Sequence, residues 1–457
     1  MRNDDNKACD CSRRQVVRSL FTGSMLFPAV LQQMLADTAD PLAPHAPHFP
    51  GKAKRVIFMY SPGGVSHLDS YDYKPKLIAA AEAQEKAKNG KLYVRPHWEF
   101  KPRGESGTMV SELFPNIAAS MDDICLIRSM RGDHQDHFQA TLGVHTGSVT
   151  VPRPSIGSWV SYGLGTENRN LPSFVVLAPK MPYTGSQAWS SDFLPGCHSG
   201  TLVSPGADPV PNVTRRAPTQ KIEDLELGLI AQLNQKHQMS RPADPALAAR
   251  MKTFETAYGM QMQMPDALDL SKESDATLMM YGLERGSTKG FAWQCIIARR
   301  LAERGVRFIE LIDQGASENW DQHSDIKNHE PLARNIDLPI AGLLKDLKAR
   351  GMFNDTLVVW TTEFGRSPHE DGANGRNHQN AVYSSWMAGG GVKGGIAWGE
   401  SDELGYKVAA NEVHVHDFHA TILHLLGFDH TRLTFRYAGR DFRLTDVAGN
   451  VVDGLLS

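Results

Sequence analysis

A series of short, predominantly apolar runs, each stopped by small or turn-forming residues, constrains this chain most. The clearest is Arg55-Val-Ile-Phe-Met-Tyr60, which ends on Ser61-Pro-Gly-Gly64. It shows no polar alternation, as expected of a strand buried on both faces. Similar runs recur at Ile124–Ile127, Ser173–Leu177, Val306–Ile312, Thr356–Trp360 and Ser384–Ala388. Helical spacing separates them. Lys289–Arg304 carries Phe291, Cys295, Ile296, Leu301 and Ala302 on one face, and Leu338–Arg350 carries Ile340, Leu343, Leu344 and Leu347 ahead of Gly351. Asp417–Leu426 reads as a helix with Asp417 as its N-cap and Gly427 beyond its end. Strands alternating with helices predict an α/β fold on an open, largely parallel sheet. A chain of 457 residues, 41% hydrophobic and 22% charged, has ample material for such a core and is not a disordered chain.

The two ends of the pattern differ from its middle. Ser12-Arg13-Arg14 precedes a moderately apolar stretch from Leu20 to about Ala36, with small residues at Ala36, Thr38 and Ala39. This resembles a twin-arginine export signal over 1–39, although Val16-Val17 stands where Phe-Leu is usual. It predicts a periplasmic or extracellular location. A Pro-rich leader follows over 40–53, and a single α/β domain over 54–457. Residues 220–265, rich in Gln and Met and free of strand runs, predict a helical insertion. The tail from Thr434 to Leu456 predicts a short closing hairpin or meander. No apolar run after the signal reaches membrane-spanning length.

Composition removes several function classes. Lys and Arg number 48 against 51 Asp and Glu, a net charge of -3, so no nucleic-acid partner is expected. The five cysteines form no CxxC pair, which argues against an iron–sulfur cluster or a Cys-rich zinc module. No GxGxxG follows a strand, which weakens a redox reading.

Ligands of open α/β sheets bind beyond the carboxyl ends of strands. After the first run comes Gly63-Gly-Val-Ser66-His-Leu-Asp69. After Val306–Ile312 come Asp313 and then Glu318-Asn-Trp-Asp321-Gln-His323. Thr361-Thr-Glu363-Phe-Gly-Arg366 follows Thr356–Trp360, and Gly375-Arg376-Asn-His378 precedes Ser384–Ala388. Asp321, His323, Glu363 and His378 are therefore expected to converge on one divalent ion. Zn²⁺ suits the donor set best, with Mn²⁺, Ca²⁺ or Mg²⁺ as alternatives. Asp69 is a further candidate ligand.

Two more clusters are rich in histidine. Asp133-His134-Gln-Asp136-His137 leads into Thr141, His145, Thr146 and Gly147, and His134 and His137 would share a helix face. His414, His416, Asp417, His419, His424 and His430 read as helix capping and core histidines rather than ligands.

Several stretches resemble the family catalogued as domain of unknown function 1501, which is sulfatase-like and belongs to the alkaline-phosphatase superfamily. They are Gly63–Asp69, Arg153–Trp159 with Leu171–Val175, Ala298–Phe308, Thr361–Arg366, Gly389–Gly395 and His416–Gly427. The resemblance implies a three-layer α/β sandwich and a metal-dependent hydrolase of phosphate or sulfate esters. It also implies a small anionic ester, or a sulfated or phosphorylated glycan, as substrate. Departures accompany it. Phe364 replaces an expected His ligand, His137 stands at the nucleophile's place, and Ser61-Pro62 replaces the usual acid after the first strand. They point to an altered, mononuclear centre, and no Cys supports a formylglycine sulfatase. In this reading Arg366 or Arg376 neutralises the ester oxygens, and His134 or His137 acts as general acid/base or as a ligand. Ser66 is a nucleophile candidate ranked below metal-bound water. The alternative is a catalytically silent binding or scaffolding protein of the same fold.

Overall fold

Strand Arg55–Tyr60 pairs in parallel with Phe308–Ile312 on one side and Thr356–Thr361 on the other, and Val56 lies opposite both Phe308 and Leu357. Every residue from Val56 to Tyr60 is buried, which accounts for the missing alternation. The computed structural model describes residues 40–457 apart from 212, 214–218 and 242–244. The Arg13-Arg14 segment lies outside the described residues. Leu42–Ser457 forms one compact unit.

Across the sheet the strand order is Ile396–Trp398, Ile124–Arg131, Tyr383–Ala388, Thr356–Thr361, Arg55–Tyr60, Phe308–Ile312, Phe174–Leu177 and Thr201–Val203. A two-residue strand, Val413–His414, also pairs with Ile124–Arg131. Neighbours run parallel except at Tyr383–Ala388, which is antiparallel to both Thr356–Thr361 and Ile124–Arg131. This reversal matters for the site. It brings the chain that precedes Tyr383 to the same sheet edge as the carboxyl ends of the parallel strands. That chain is a polar hairpin, Gly365–Asp371 paired with Gly375–Gln379.

Helices cover both faces. On one, Gly290–Glu303, His329–Ala349 and Asp275–Tyr281 pack against Ile57, Met59, Ile309, Val358 and Trp360. On the other, Ile156–Leu164 and Val415–Leu425 pack against Val56, Phe58, Tyr60, Ile127 and Val359. The first layer is pinned by Arg299, only 1% exposed, which pairs with Asp346 (2.9 Å), Glu273 (2.8 Å) and Glu303 (2.9 Å).

Between Thr201–Val203 and Phe308–Ile312 the described regular elements are helices, among them Gln220–Met239 and Pro245–Leu268. Pro245–Leu268 sends Met260, Met264 and Ala267 into the core. Phe435–Tyr437 and Arg440–Phe442 form the closing hairpin. At the last long helix the expected cap is corrected. His414 is the N-cap, and Asp417 is the third helical residue of a capping box, its carboxylate accepting from the His414 amide at 3.1 Å. No helix among the described residues is long and apolar enough to cross a membrane.

Candidate metal centre

The turn after Arg55–Tyr60 is drawn very close to its neighbours. Gly63 and Gly64 have φ of +110° and +72°. A Cβ on Gly63 would lie 2.5 Å from the Asp321 amide nitrogen, and one on Gly64 would lie 2.5 Å from the Phe364 ring. Two glycines are therefore what lets the Asp321 and Phe364 loops close over this turn. The Gly63 amide in return donates to Glu363 Oε1 at 2.7 Å.

Asp321 sits at the middle of the site. Its Oδ1 lies 2.9 Å from His323 Nε2 and 3.2 Å from His378 Nε2, and its Oδ2 lies 3.2 Å from His137 Nε2. His137, Asp321 and His378 each offer one donor atom within 4.8 Å of the others. His323 adds a fourth, 2.9 Å from His378.

The opposite nitrogen of each imidazole is held by a group that can only accept. His137 Nδ1 faces Glu363 Oε1 at 2.7 Å, His323 Nδ1 faces Asp371 Oδ2 at 2.7 Å, and His378 Nδ1 faces the Gln135 carbonyl at 2.7 Å. Each Nδ1 therefore carries its hydrogen, and each Nε2 turns inward onto Asp321, where it offers a lone pair to an ion only when it carries no hydrogen. Metal-ligating histidines are oriented in this way. The Nε2 atoms of His323 and His378, 2.9 Å apart, need a proton or a cation between them, and the buried Nε2 of His137 has only the Asp321 carboxylate beside it, at 3.2 Å. His137, Asp321 and His378 fit a divalent ion as three ligands, with His323 beside His378 and Asp321 as a further donor.

Protonation states reflect the same crowding. Burial pushes His137 down, but hydrogen bonds to Asp321 and Glu363 outweigh it and raise its pKa to about 9. Burial likewise opposes ionisation of Asp321 and Glu363. Hydrogen bonds from His137 and His378, with Arg366, hold Asp321 far below the usual carboxylate range, and His137 does the same to a lesser degree for Glu363.

The remaining sequence candidates fall into surrounding roles. Glu363 is buried, with His137 and the Gly63 amide on its Oε1 and the Thr362 hydroxyl 3.1 Å from its Oε2. It holds His137 from behind. Arg366 gives Nη2 to Asp321 at 2.6 Å and its other nitrogens to the carbonyls of Gly64 (2.8 Å) and Arg376 (3.0 Å). Arg376, fully buried, binds Asp69 at 2.7 Å and the Ser367 and Val94 carbonyls. Asp69 also accepts from Ser66 Oγ at 2.5 Å and from the His97 amide at 3.1 Å. Ser66, Asp69 and Arg376 thus form one buried network that braces the hairpin. The helix begins at His137 with Asp136 as its cap, so His134 precedes it and the expected shared helix face does not form. The Nδ1 of His134 accepts from the Asp136 amide at 3.0 Å.

Residues that sequence reasoning missed complete the surroundings. Tyr183 stacks on His137 with ring centres 4.2 Å apart and planes 8° apart, and its hydroxyl accepts from Asn319 Nδ2 at 2.8 Å. It follows strand Phe174–Leu177 at the same sheet edge, a signal the strand-end rule could have used. Asp371 and the Gln135 carbonyl carry no such signal. Phe364 lies 4.8 Å from His137 and 4.5 Å from His378, so it walls the centre instead of ligating.

Asp133, His414 and His416 form a second group with ligand-like spacing. Here the tautomer argues against an ion. His414 Nδ1 accepts from the His416 amide at 3.2 Å, which leaves the hydrogen on Nε2, and that hydrogen is donated to Asp133 at 2.9 Å. His414 and Asp133 thus form a hydrogen-bonded helix cap.

Among solved structures, the chain is similar to a protein in the alkaline phosphatase superfamily from Vibrio parahaemolyticus, with 10% identity, 89% of this chain and 76% of that chain covered, and a TM-score of 0.36. It is similar to the PsFucS1 sulfatase from Pseudoalteromonas sp., with 11% identity, 88% and 71% covered, and a TM-score of 0.34. It is also similar to the lipoteichoic acid synthase LtaP from Listeria monocytogenes, with 8% identity, 87% and 78% covered, and a TM-score of 0.35. No curated protein matches it. The family model described as "Protein of unknown function (DUF1501)" matches residues 53–456, and the chain belongs to that family.

Proposed function

We propose that the centre formed by His137, Asp321, His323 and His378 holds a divalent ion and hydrolyses an anionic ester of phosphate or sulfate. The observation that carries the metal reading is the convergence of three Nε2 atoms on one carboxylate, with every Nδ1 held from outside. The ester class is an expectation from the motif resemblance. A bound ion would polarise an ester oxygen and lower the pKa of a coordinated water. The chain's own residues prepare for this. Glu363, Asp371 and the Gln135 carbonyl fix the ring orientations, and Arg366 fixes Asp321. Tyr183 and Phe364 exclude water from the sides of the His137 ring. His134, just outside the helix, is the candidate proton donor to the leaving group.

A silent binding protein is the second reading. Its support is the engagement of both arginines, Arg366 and Arg376, by carboxylates and backbone carbonyls inside the protein. One experiment separates the readings. Protein purified without chelator is analysed for metal, then assayed on phosphate and sulfate esters, glycan sulfates included, with Zn²⁺, Mn²⁺, Ca²⁺ or Mg²⁺ added. Turnover lost in His323→Ala supports the hydrolase. Metal content without turnover supports the binding protein, and absence of metal removes the hydrolase.

We also propose export by the twin-arginine route. Replacing Arg13 and Arg14 by Lys is expected to keep the precursor in the cytoplasm, and normal processing of that variant would refute it.

A further inference from the structure

Arg366 and Arg376, the groups expected to meet an anionic ester, are fully buried and already engaged inside the protein. Arg366 gives Nε to the Gly64 carbonyl at 2.8 Å, Nη1 to the Arg376 carbonyl at 3.0 Å and Nη2 to Asp321 at 2.6 Å. Arg376 gives Nε to Asp69 at 2.7 Å, Nη1 to the Ser367 carbonyl at 3.1 Å and Nη2 to the Val94 carbonyl at 3.0 Å. Neither can turn to a new oxygen without leaving a buried acceptor unpaired. An anion at the centre needs another donor.

Hydrogen counting at Tyr183 supplies one. The side-chain amide of buried Asn319 is fixed at both ends. Its Oδ1 accepts from the Asp321 amide at 3.0 Å, and its Nδ2 donates to the Gly315 carbonyl at 2.8 Å and to the Tyr183 hydroxyl at 2.8 Å. The flipped amide would set oxygen against the Gly315 carbonyl and nitrogen against the Asp321 N–H, so its orientation is determined. Both Nδ2 hydrogens are therefore given away, and the Tyr183 oxygen receives one of them. The hydroxyl's own hydrogen meets no acceptor among the described residues. Tyr183 is half-buried, and its ring lies flat on His137 with centres 4.2 Å apart. Its hydroxyl is close enough to Asp321, Glu363 and Arg366 to feel their charges.

We propose that Tyr183 is a substrate-binding residue, its hydroxyl donating to an oxygen of the sulfate or phosphate group at the metal centre. The inference rests on the metal reading of that same centre. The bond received from Asn319 polarises the hydroxyl and strengthens the one it gives. The stack on His137 fixes the ring beforehand, so little freedom is lost when the anion arrives.

The test is calorimetric titration of the Zn²⁺-loaded chain with inorganic phosphate and with inorganic sulfate, beside titration of the metal-free chain with Zn²⁺. Tyr183→Phe keeps the ring and its stack. It is expected to bind Zn²⁺ as the wild type does and to bind the oxyanion roughly 10–100-fold more weakly. Equal oxyanion affinity in the two proteins overturns the proposal, and so does a wild type that holds Zn²⁺ but neither oxyanion. A parallel loss of Zn²⁺ affinity in the variant also overturns it, because Tyr183 would then only prop Asn319 and, through it, Asp321. A wild type that holds no Zn²⁺ removes the hydrolase reading and this inference with it.

Discussion

His137 Nδ1 lies 2.7 Å from Oε1 of Glu363, on the side of the ring facing away from Asp321. The pair makes Glu363 a support for a ligand, where the strand-end pattern alone suggested a ligand. Losing such an outer partner costs metal affinity by about 10–100-fold. Glu363→Gln is therefore expected to retain an ion with affinity reduced by that order, whereas Asp321→Ala, His323→Ala and His378→Ala release it. Binding by the wild type and by variants that keep His137 and the ion falls as pH drops below about 9, since protonated His137 cannot ligate. Isothermal titration of each variant with Zn²⁺ checks the ranking, and a Glu363 variant as weak as the Asp321 variant contradicts it.

Asp313, the first residue after strand Phe308–Ile312, is buried and is raised by that burial from 3.8 to about 7, even though Trp320 Nε1 donates to it at 2.7 Å. The sign follows from proton counting. Between the two values the folded state holds a proton that the unfolded state has lost, so stability falls as pH rises through this window. The full displacement corresponds to on the order of 4 kcal/mol. Asp313→Asn is expected to gain stability relative to wild type at about pH 8 and little at about pH 4. Urea unfolding at both values measures it, and equal gains at both would be inconsistent with titration of this group.

Most of the sheet was readable because burial on both faces leaves an unbroken apolar run, as in Val56–Tyr60. Alternation with helices makes the sheet largely parallel, but the direction of a single run is not readable. A run such as Tyr383–Ala388 looks the same in either sense, and only pairing shows it to be antiparallel. The hairpin Gly365–Gln379 was missed because its residues are largely polar, and with it the role of Asp371. His137 was noticed as a histidine, but its place at the centre depends on Glu363 reaching it across 226 positions of chain. The Gln135 carbonyl behind His378 is a backbone atom and leaves no trace in side-chain identity.

Arg299 is the stability hinge of the helical layer. Removing it takes one countercharge from each of Glu273 and Asp346, both nearly buried, which keep Arg300 at 2.5 Å and Arg350 at 2.7 Å respectively. Breaking a buried pair from one side costs on the order of 3–5 kcal/mol. With Arg300 and Arg350 still beside these carboxylates, Arg299→Ala is expected to lower the unfolding free energy by less, roughly 1–3 kcal/mol, with metal affinity preserved in the folded fraction. A loss below about 1 kcal/mol, the usual worth of a surface pair, would show the network to be solvated.

Gly64 joins the first strand to the metal centre through space alone. At φ +72° and 2.5 Å from the Phe364 ring, a methyl group must either move Phe364 or open the turn. Phe364 packs on His137 and His378, so either movement disturbs two ligands. Left-handed backbone costs a non-glycine residue roughly 1–2 kcal/mol by itself. Gly107 supplies the control, with φ +66° and nothing within 4 Å of its added Cβ. Gly107→Ala is expected to show the backbone cost only and to bind metal normally. Gly64→Ala is expected to lose more stability than Gly107→Ala and to bind metal at least tenfold more weakly, because the clash is transmitted to the ligand rings. Equal metal affinity in the two variants would mean that Phe364 does not position His137 and His378.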